Sequence, residues 1–337
     1  MTRISEVAAA AKVSPATVSR VLNGSQSVSP TLAKRVREAV DRLGYQPHGV
    51  ARNLRKRSTQ VLGLIISDIG NPFFTTLVRG VEDVAKEAGD LLILCNSDED
   101  PAKESEYLNF LASERVAGIL VAAASSQAST LSAVVERKVP VVAVDRRPSL
   151  RGLDMVLINN RAGARLAVEH LLQQGCRRIG CVTGPLRAST SSERASGYRG
   201  ALRRNGHDID PSLLVVGDFK REGGFEATLE LLALDDPPDG LFVANNLMTE
   251  GALAALRESD RDIPEDVAVV GFDDMSWATV VQPTLTTVAQ PTYEMGVRAT
   301  QVLLERVRGD RSAAHHVVFK PELRVRESSL RQAPVVL

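Results

Sequence analysis

Apolar runs of three to six residues alternate with longer amphipathic segments from residue 61 onward, and this alternation restricts the fold more than any other feature. Strands that alternate with helices predict parallel sheets covered by helices on both faces. Eleven such runs are many for one open sheet, so we expect two α/β lobes. The predicted strands are Val61–Ile66, Leu91–Cys95, Gly118–Ala122, Pro140–Val144, Met155–Ile158, Arg178–Val182, Leu213–Val216, Leu241–Ala244, Val267–Gly271, Leu285–Ala289 and Val317–Phe319.

Residues 1–46 have a different pattern, which predicts three short helices. Ser14-Pro15 and Ser29-Pro30 are each typical of a helix start, because serine caps the first turn and proline is tolerated at its first position. Asn23-Gly24 and Gly44 are typical of helix ends. Two short helices across a tight turn, braced by a third helix, predict a helix-turn-helix domain.

The charges of the 337-residue chain are divided unevenly, although the net charge is zero. Residues 1–58 carry 11 Lys/Arg and 3 Asp/Glu, a net charge of +8, so the remaining 30 basic and 38 acidic residues give −8. A basic module favours an anionic polymer as its partner. Together with the helix-turn-helix pattern, it predicts binding to double-stranded DNA. The alternative is a small helical bundle whose charged face is only solvated.

Polar and aromatic side chains follow the carboxyl ends of several predicted strands, where ligands bind in parallel sheets. Planar rings can stack on the C–H faces of a sugar, and carboxylates, guanidinium groups and amides can bond its hydroxyls, so this set suits a small polyol. Simpler explanations exist: Asn71 as a turn residue, Phe73 and Phe74 as core, and Asp145 and Asp273 as helix caps. The shared location of these residues favours a binding site.

No motif in the sequence points to catalysis. GxSxG, HExxH, GxxxxGK[ST] and GxGxxG are not found, and no histidine has ligand spacing to another histidine or to a cysteine, so we predict no enzyme, metal site or cofactor. Three cysteines without a CxxC pair argue against a disulfide framework. No apolar run approaches the roughly 18 residues of a membrane span, and charged residues interrupt the N-terminal segment where a leader would be apolar. We therefore expect a cytoplasmic protein without membrane contact.

The N-terminal motifs resemble those of the lactose/galactose repressor family of bacterial transcription regulators. The resemblance rests on Val13-Ser-Pro-Ala-Thr-Val-Ser-Arg-Val-Leu-Asn-Gly24, preceded by Arg3-Ile-Ser-Glu-Val-Ala8 and followed by Gly44-Tyr-Gln-Pro47 and Ala51-Arg-Asn-Leu54. It implies a homodimer in which the second helix of each subunit enters a major groove of operator DNA. It further implies base-reading positions at Ala16 and Arg20, and phosphate-contacting positions at Thr17 and Ser19.

Residues 47–60 contain one leucine among four cations, in a segment too short to form a stable helix alone. The resemblance implies a hinge helix that orders only on operator DNA, in which Leu54 is an apolar wedge between base pairs of the minor groove. Arg52, Arg55 and Lys56 would then contact the phosphates or the groove floor. The alternative is that Leu54 docks on the body of the protein.

The body resembles the same family and its relatives, the periplasmic sugar-binding proteins. Gly63-Leu-Ile-Ile66, Asn71-Pro-Phe-Phe74, Val144-Asp-Arg146, Val270-Gly-Phe-Asp273 and Leu285-Thr-Thr-Val-Ala-Gln290 carry this resemblance, which extends to about residue 328. Asn246 departs from the acid common at its position, which leaves the identity of the ligand open. The ribose-binding relatives imply ten effector-binding residues: Asn71, Phe73, Phe74, Asp145, Arg146, Arg194, Phe219, Asn245, Asp273 and Gln290.

We therefore expect a small all-α helix-turn-helix domain and a two-lobed α/β domain like that of periplasmic binding proteins, with parallel sheets. The expected bounds are 1–46 for the DNA-binding domain, 47–60 for the hinge helix and linker, and 61–330 for effector binding and dimerisation. The N-lobe spans about 61–160 and 290–320, and the C-lobe about 161–289 and 321–330. The expected function is a dimeric repressor that a monosaccharide, with a ribose-like pentose favoured, releases from a palindromic operator. The alternative is a co-repressed regulator that senses a purine or a sugar phosphate.

Overall fold

The computed structural model of the chain describes residues 2–22, 28–45, 59–126 and 129–331. The chain divides into two compact units, with the division between Thr59 and Gln60. No helix in the described part is long and apolar enough to cross a membrane. The expected fold class is confirmed: the first unit consists of helix-turn-helix elements, and the second contains two sheets that are dominated by parallel strands.

The first unit is a bundle of three helices. Val7, Val18 and Val36, one from each helix, are fully buried and form its centre. The hydroxyl of Ser14 accepts a hydrogen bond from the backbone N–H of Thr17 at 3.2 Å and so caps the second helix, as the sequence predicts. The helices are α1 (Ile4–Ala11), α2 (Pro15–Leu22) and α3 (Pro30–Leu43).

The second unit begins with a six-stranded sheet that has helices on both faces. Its strands are β1 (Val61–Ile66), β2 (Leu91–Asn96), β3 (Gly118–Val121), β4 (Val141–Val144), β5 (Asp154–Ile158) and β11 (His316–Phe319). In the order β11-β5-β4-β3-β1-β2, every neighbouring pair is parallel. The first three helices along this part of the chain, together with a later one, cover the sheet: α4 (Pro72–Glu87), α5 (Pro101–Ser113), α6 (Ser129–Glu136) and α11 (Thr292–Val307).

The other sheet also has six strands. They are β6 (Ile179–Thr183), β7 (Leu214–Val216), β8 (Gly240–Val243), β9 (Ala268–Phe272), β10 (Thr286–Ala289) and β12 (Glu322–Arg324), in the order β12-β10-β9-β8-β6-β7. Only β12 is antiparallel to its neighbour within the described sheet. This lobe also contains α7 (Asn160–Gln173), α8 (Ser189–Arg204), α9 (Arg221–Leu232), α10 (Asn246–Glu258) and the short 3₁₀ helices Pro211–Leu213, Ser276–Thr279 and Glu327–Ser329.

The chain passes between the two sheets three times, after β5, after β10 and after β11. The strands of the first sheet fall within 61–160 and 290–320, and those of the second within 161–289 and 321–330. The sequence prediction missed β12, because this edge strand has only three residues and two of them are charged. It also did not identify α6.

Two glycines allow helices α4 and α11 to touch through their backbones. A Cβ atom on Gly80 would lie 2.2 Å from the carbonyl oxygen of Tyr293, and one on Gly296 would lie 2.3 Å from the carbonyl oxygen of Leu77. No side chain fits at such distances. This close pair packs on the first sheet.

Candidate functional site

Helix α2 turns its predicted DNA-contacting side chains away from the core of the bundle. Ala16 and Arg20 are exposed and Thr17 and Ser19 are half-buried, whereas Val18 between them is buried. The exposed face thus carries a methyl group and a guanidinium group. A guanidinium can donate two parallel hydrogen bonds to the edge of guanine, and small hydroxyl side chains can bond phosphate oxygens.

The predicted hinge residues Arg52, Leu54, Arg55 and Lys56 lie outside the described part of the chain. The minor-groove wedge at Leu54 therefore stays a prediction. Its support is the sequence itself, in which one leucine stands among four cations.

The loops that follow the strands of both sheets line one cleft between the lobes. Its empty space, including the open mouth, measures about 380 Å³. All ten predicted effector-binding residues line this cleft, together with three that the sequence reading missed. The lining residues are Asp68, Asn71, Phe73, Phe74, Glu99, Asp145, Arg146, Thr190, Arg194, Phe219, Asn245, Asp273 and Gln290.

Two of the missed residues, Asp68 and Glu99, also follow strand ends, because they come shortly after β1 and β2. The rule that locates ligands beyond the carboxyl ends of parallel strands would have found both. Thr190 lies in the first turn of α8, four residues before Arg194, and no signal in the sequence separated it from an ordinary helix residue.

Arg194 is fixed in the cleft by groups of its own lobe. Its Nε donates to the Oδ1 of Asn160 at 2.8 Å, and its Nη1 donates to the carbonyl oxygen of Ala244 at 2.6 Å. The guanidinium carbon lies 3.7 Å from the centre of the Phe272 ring, within cation–π distance. Burial lowers the pKa of Arg194, and the charge of Asp273 opposes this shift. The side chain is thereby a preorganised donor.

Arg146 is held by an acid that the sequence did not suggest. Its Nη1 and Nη2 donate to the two carboxylate oxygens of Glu99, both at 2.6 Å, and its guanidinium lies 4.9 Å from the Phe219 ring centre. Burial alone would lower the pKa of Arg146, but the charge of Glu99 raises it. This residue is therefore a fixed cation.

Two buried carboxylates face these arginines. Burial raises the pKa of Asp145 to about 6, although the charges of Arg146 and Arg194 oppose this shift. Burial also raises the pKa of Asp273, which accepts a hydrogen bond from the Nε2 of Gln290 at 2.5 Å. The Oδ1 of Asp145 and the Oε1 of Gln290 are buried without a hydrogen-bond partner among the described residues. These oxygens are acceptors that suit the hydroxyls of a ligand.

Four cleft residues have a left-handed backbone, which is uncommon outside glycine. The φ angles are 60° at Glu99, 64° at Asp145, 71° at Phe219 and 76° at Asp273. Aspartate tolerates this region better than other residues, whereas a bulky residue such as phenylalanine rarely adopts it. Such conformations concentrate at functional sites, where they aim a side chain that regular backbone would turn elsewhere.

Side chains from both lobes meet across the cleft, at its mouth and in its buried part. The Nζ of Lys220, which precedes α9 in the C-lobe, lies 2.8 Å from a carboxylate oxygen of Asp68 and 3.2 Å from one of Asp98 in the N-lobe. The amide of Asn246 donates to the Oδ1 of Asn71 at 2.9 Å. A carboxylate at position 246 could not donate this bond unless protonated, so the departure noted in the sequence coincides with a contact between lobes.

Glu305, Asp310 and His315 form a cluster with metal-ligand atoms within 4.8 Å of one another, outside the cleft. Arg306 donates to a carboxylate oxygen of Asp310 at 3.0 Å and also to both carboxylate oxygens of Asp154. The other acid, Glu305, lies 3.3 Å from a guanidinium nitrogen of Arg298. Since each acid of the cluster already has a guanidinium partner, the cluster is an ion-pair network.

Two protein-family profiles match the N-terminal unit and part of the second unit of the chain. Residues 3–48 match the profile described as bacterial regulatory proteins, lacI family, and residues 168–329 match a periplasmic binding protein-like domain. The chain is 33% identical to the HTH-type transcriptional repressor PurR of Aliivibrio salmonicida, over 97% of this chain and 99% of that protein. It is 36% identical to the ribose operon repressor of Halalkalibacterium halodurans, over 98% of this chain and 97% of that protein.

Two solved structures of transcription regulators are also similar to this chain. The lac repressor dimer bound to operator and the anti-inducer ONPF is similar with a TM-score of 0.86, at 26% identity, over 98% of this chain and 99% of that one. A LacI-family transcriptional regulator from Enterococcus faecium with bound ribose is similar with a TM-score of 0.72, at 30% identity, over 80% of this chain and 98% of that one.

Proposed function

Because the chain belongs to the lacI family of bacterial regulatory proteins, we propose that it is a repressor that a ribose-like monosaccharide releases from its operator. The family consists of DNA-binding transcriptional regulators, so the chain is a regulator of transcription and not an enzyme. The proposal concerns the effector, the residues that bind it, and the direction of the response. A protein with this role works beside the bacterial chromosome, in the cytoplasm.

In this proposal, residues 1–46 bind DNA, residues 47–60 form the hinge, and residues 61–330 bind the effector and form the dimer. Arg20 reads a base edge in the major groove, and Leu54 enters the minor groove between the half-sites. Two hinge segments are needed in one groove, so the active form is a dimer on a near-palindromic site.

An exposed apolar edge supports dimerisation of the body. Strand β2 is the edge strand of the first sheet, and its side chains Leu91, Ile93 and Leu94 are 71%, 36% and 37% exposed. Edge strands with exposed apolar side chains pair readily with another surface. We therefore expect the protein to form dimers in solution. Light scattering at micromolar concentration tests this, and a stable tetramer would contradict it.

The observation that carries the sugar proposal is the convergence of ten residues, spread from position 71 to position 290, on one cleft. Three aromatic rings and several charged or amide groups are the combination that a polyol needs.

The arrangement of donors and acceptors also supports a sugar. Arg194 and Arg146 are held in place by neighbours, so they can donate to hydroxyls without first being ordered. The partnerless oxygens of Asp145 and Gln290 accept from hydroxyl groups. A hydroxyl both donates and accepts, and a ring with several adjacent hydroxyls can satisfy both kinds of group at once.

Closure of the cleft is the proposed link between sugar and DNA. A ligand held by residues of both lobes favours the closed arrangement, and it can shift the equilibrium only by its preference for that arrangement, typically about 1–3 kcal/mol. A regulator of sugar breakdown is useful when its sugar weakens operator binding. We therefore propose induction, in which the free protein represses.

A co-repressed regulator that senses a purine or a sugar phosphate is the second candidate. The 33% identity to a repressor named PurR favours it. The position of Ala188, where a purine-sensing relative is expected to carry an arginine, argues against a purine.

Calorimetry with a panel of pentoses, hexoses, sugar phosphates and purines tests the effector proposal directly. Tight binding of a free pentose is the expected result, and binding of only a purine or a sugar phosphate would favour the second candidate. Operator affinity at fixed salt, with and without saturating effector, gives the direction of the response. Tighter operator binding in the presence of the effector would contradict induction.

A further inference from the structure

We propose that Glu99 makes the effector cleft selective for a neutral monosaccharide over its phosphorylated form, because it occupies the guanidinium of Arg146 that a phosphate would need. This inference rests on the proposed sugar-effector function and specifies the chemical class of the ligand. Glu99 is a specificity-determining residue that acts chiefly through Arg146.

Glu99 takes the end-on fork of Arg146, which its two terminal nitrogens form. Both terminal nitrogens donate to Glu99, each at 2.6 Å, in the two-pronged arrangement that arginine otherwise uses for phosphate. The Nε has no hydrogen-bond partner among the described residues, but it lies 3.7 Å from a carboxylate oxygen of Asp145, which would repel a phosphate that approached from this side. The side chains of Arg146 and Glu99 are only 5% and 11% exposed. A phosphate would have to displace a buried, fully formed pair and leave the carboxylate without its partner, which is costly.

The loop that carries Glu99 is fixed as well. Its backbone N–H donates to the carbonyl oxygen of Ser67 at 2.9 Å, and its φ angle of 60° lies in the left-handed region. Ser67 directly follows β1, so the loop after β2 is tied to the neighbouring strand end. The carboxylate is therefore a fixed part of the cleft wall.

The net charge of the cleft also disfavours binding of a phosphate. Among the residues that line it, four carboxylates (Asp68, Glu99, Asp145 and Asp273) oppose two guanidinium groups. Glu104, which is buried behind the loop after β3, adds to the negative charge around Arg146. A phosphate carries about −1.5 to −2 charges near neutral pH and would be repelled at short range by this excess of carboxylates.

Arg194, the second arginine of the cleft, does not provide a phosphate-binding group either. Arg194 donates to Asn160 and to the carbonyl oxygen of Ala244, and its face covers Phe272. Lys220, at the mouth, is paired with two carboxylates. Each of these three cations thus already has a partner in the protein.

The test is calorimetry of the full-length protein with D-ribose and with D-ribose 5-phosphate, in the wild type and in three variants. Glu99→Gln keeps the shape of the side chain but releases one charge-assisted partner of Arg146. Glu99→Asp keeps the charge on a shorter side chain. Asp98→Asn is the matched control, because it removes one negative charge from the adjacent residue, which pairs with Lys220 and not with Arg146.

The wild type should bind D-ribose at least about tenfold more tightly than D-ribose 5-phosphate. Glu99→Gln should reduce this preference about tenfold, because a reduction of that size is expected when a charge-assisted hydrogen bond changes partner. Glu99→Asp should keep most of the preference, and Asp98→Asn should change it by less than about threefold. Since the ratio compares two ligands on one protein, a general loss of stability does not produce it.

An unchanged ratio in Glu99→Gln, or an equal change in Asp98→Asn, would overturn the role of Glu99 while leaving a sugar effector in place. Wild-type binding of the phosphate as tight as that of ribose would also overturn it. Failure of the wild type to bind either compound would overturn the ribose effector and, with it, this inference.

Discussion

Replacing Lys220 with methionine measures how much the ion pairs between the lobes contribute to effector affinity. The ammonium group lies 2.8 Å from Asp68 and 3.2 Å from Asp98, whose side chains are 12% and 58% exposed. The exposed pair with Asp98 contributes about 0.2–1 kcal/mol at most. The bond to Asp68 is less accessible to solvent, but Lys220 itself is 34% exposed, so about 1 kcal/mol is reasonable after screening. The two pairs together favour closure by about 1–2 kcal/mol.

Loss of this contribution lowers the population of the closed form, and the apparent affinity falls by the same factor. Lys220→Met should therefore weaken monosaccharide binding roughly tenfold, as measured by calorimetry. Raising the salt concentration should weaken binding to the wild type more than binding to the variant, because salt screens the exposed pairs. Lys220→Arg keeps the charge and serves as the control, and urea denaturation shows whether the fold of each variant is preserved.

Equal affinity of Lys220→Met and the wild type at low salt would refute this reasoning. So would an equal salt dependence of the two proteins, since the only ion pairs lost are those of Lys220. A parallel loss of the urea midpoint would mean that the residue stabilises the C-lobe and not the closed arrangement.

Three other changes test other parts of the molecule. Leu54→Ala should weaken operator binding by a few kcal/mol, about a hundredfold, in a fluorescence-anisotropy titration, while calorimetry shows unchanged effector binding. Burial raises the pKa of Asp145 from its usual 3.8 to about 6, so stability that this group contributes at low pH is lost as the pH rises through about 6. Asp145→Asn should thus raise the melting temperature more near pH 7.5 than near pH 5, and an equal gain at both would contradict the raised pKa. Gly80→Ala places a Cβ 2.2 Å from a backbone oxygen of α11 and should lower the free energy of unfolding by about 2 kcal/mol or more in urea.

The sequence predicts much of the cleft because the carboxyl ends of parallel strands meet at one edge of a sheet. Asp145 directly follows β4 and Asp273 directly follows β9, so a prediction of the strands is enough to bring them together. Glu99 follows β2 at the same edge of the sheet, so the same rule applies to it. Lys220 is different, because its partners belong to the other lobe. No local pattern fixes which loops face each other across two separately folded sheets.

Two asparagines show that a structural role and a binding role can coincide. The side chain of Asn71 accepts from the N–H of Phe73 and caps α4, and that of Asn245 accepts from the N–H of Met248 and caps α10. Asn71 thus has a structural role as a helix cap, and it lines the cleft as well. The caps also fix both amides in the wall of the cleft, which both asparagines line.

Selectivity among neutral sugars then depends on which buried groups a ligand leaves without a partner. Arg146 and Arg194 keep their protein partners whatever the ligand, so they orient a sugar without strongly discriminating between sugars. The Oδ1 of Asp145 and the Oε1 of Gln290 have no such partner among the described residues. A sugar that lacks the hydroxyl facing one of these two oxygens leaves a buried acceptor unsatisfied, and its binding is weaker by about 1–3 kcal/mol. An additional hydroxyl elsewhere on the sugar weakens binding less if it reaches the open mouth of the cleft. Deoxy sugars should therefore discriminate these two positions more sharply than changes of ring size, and each loss should disappear when the facing acceptor is replaced by an apolar side chain of similar size.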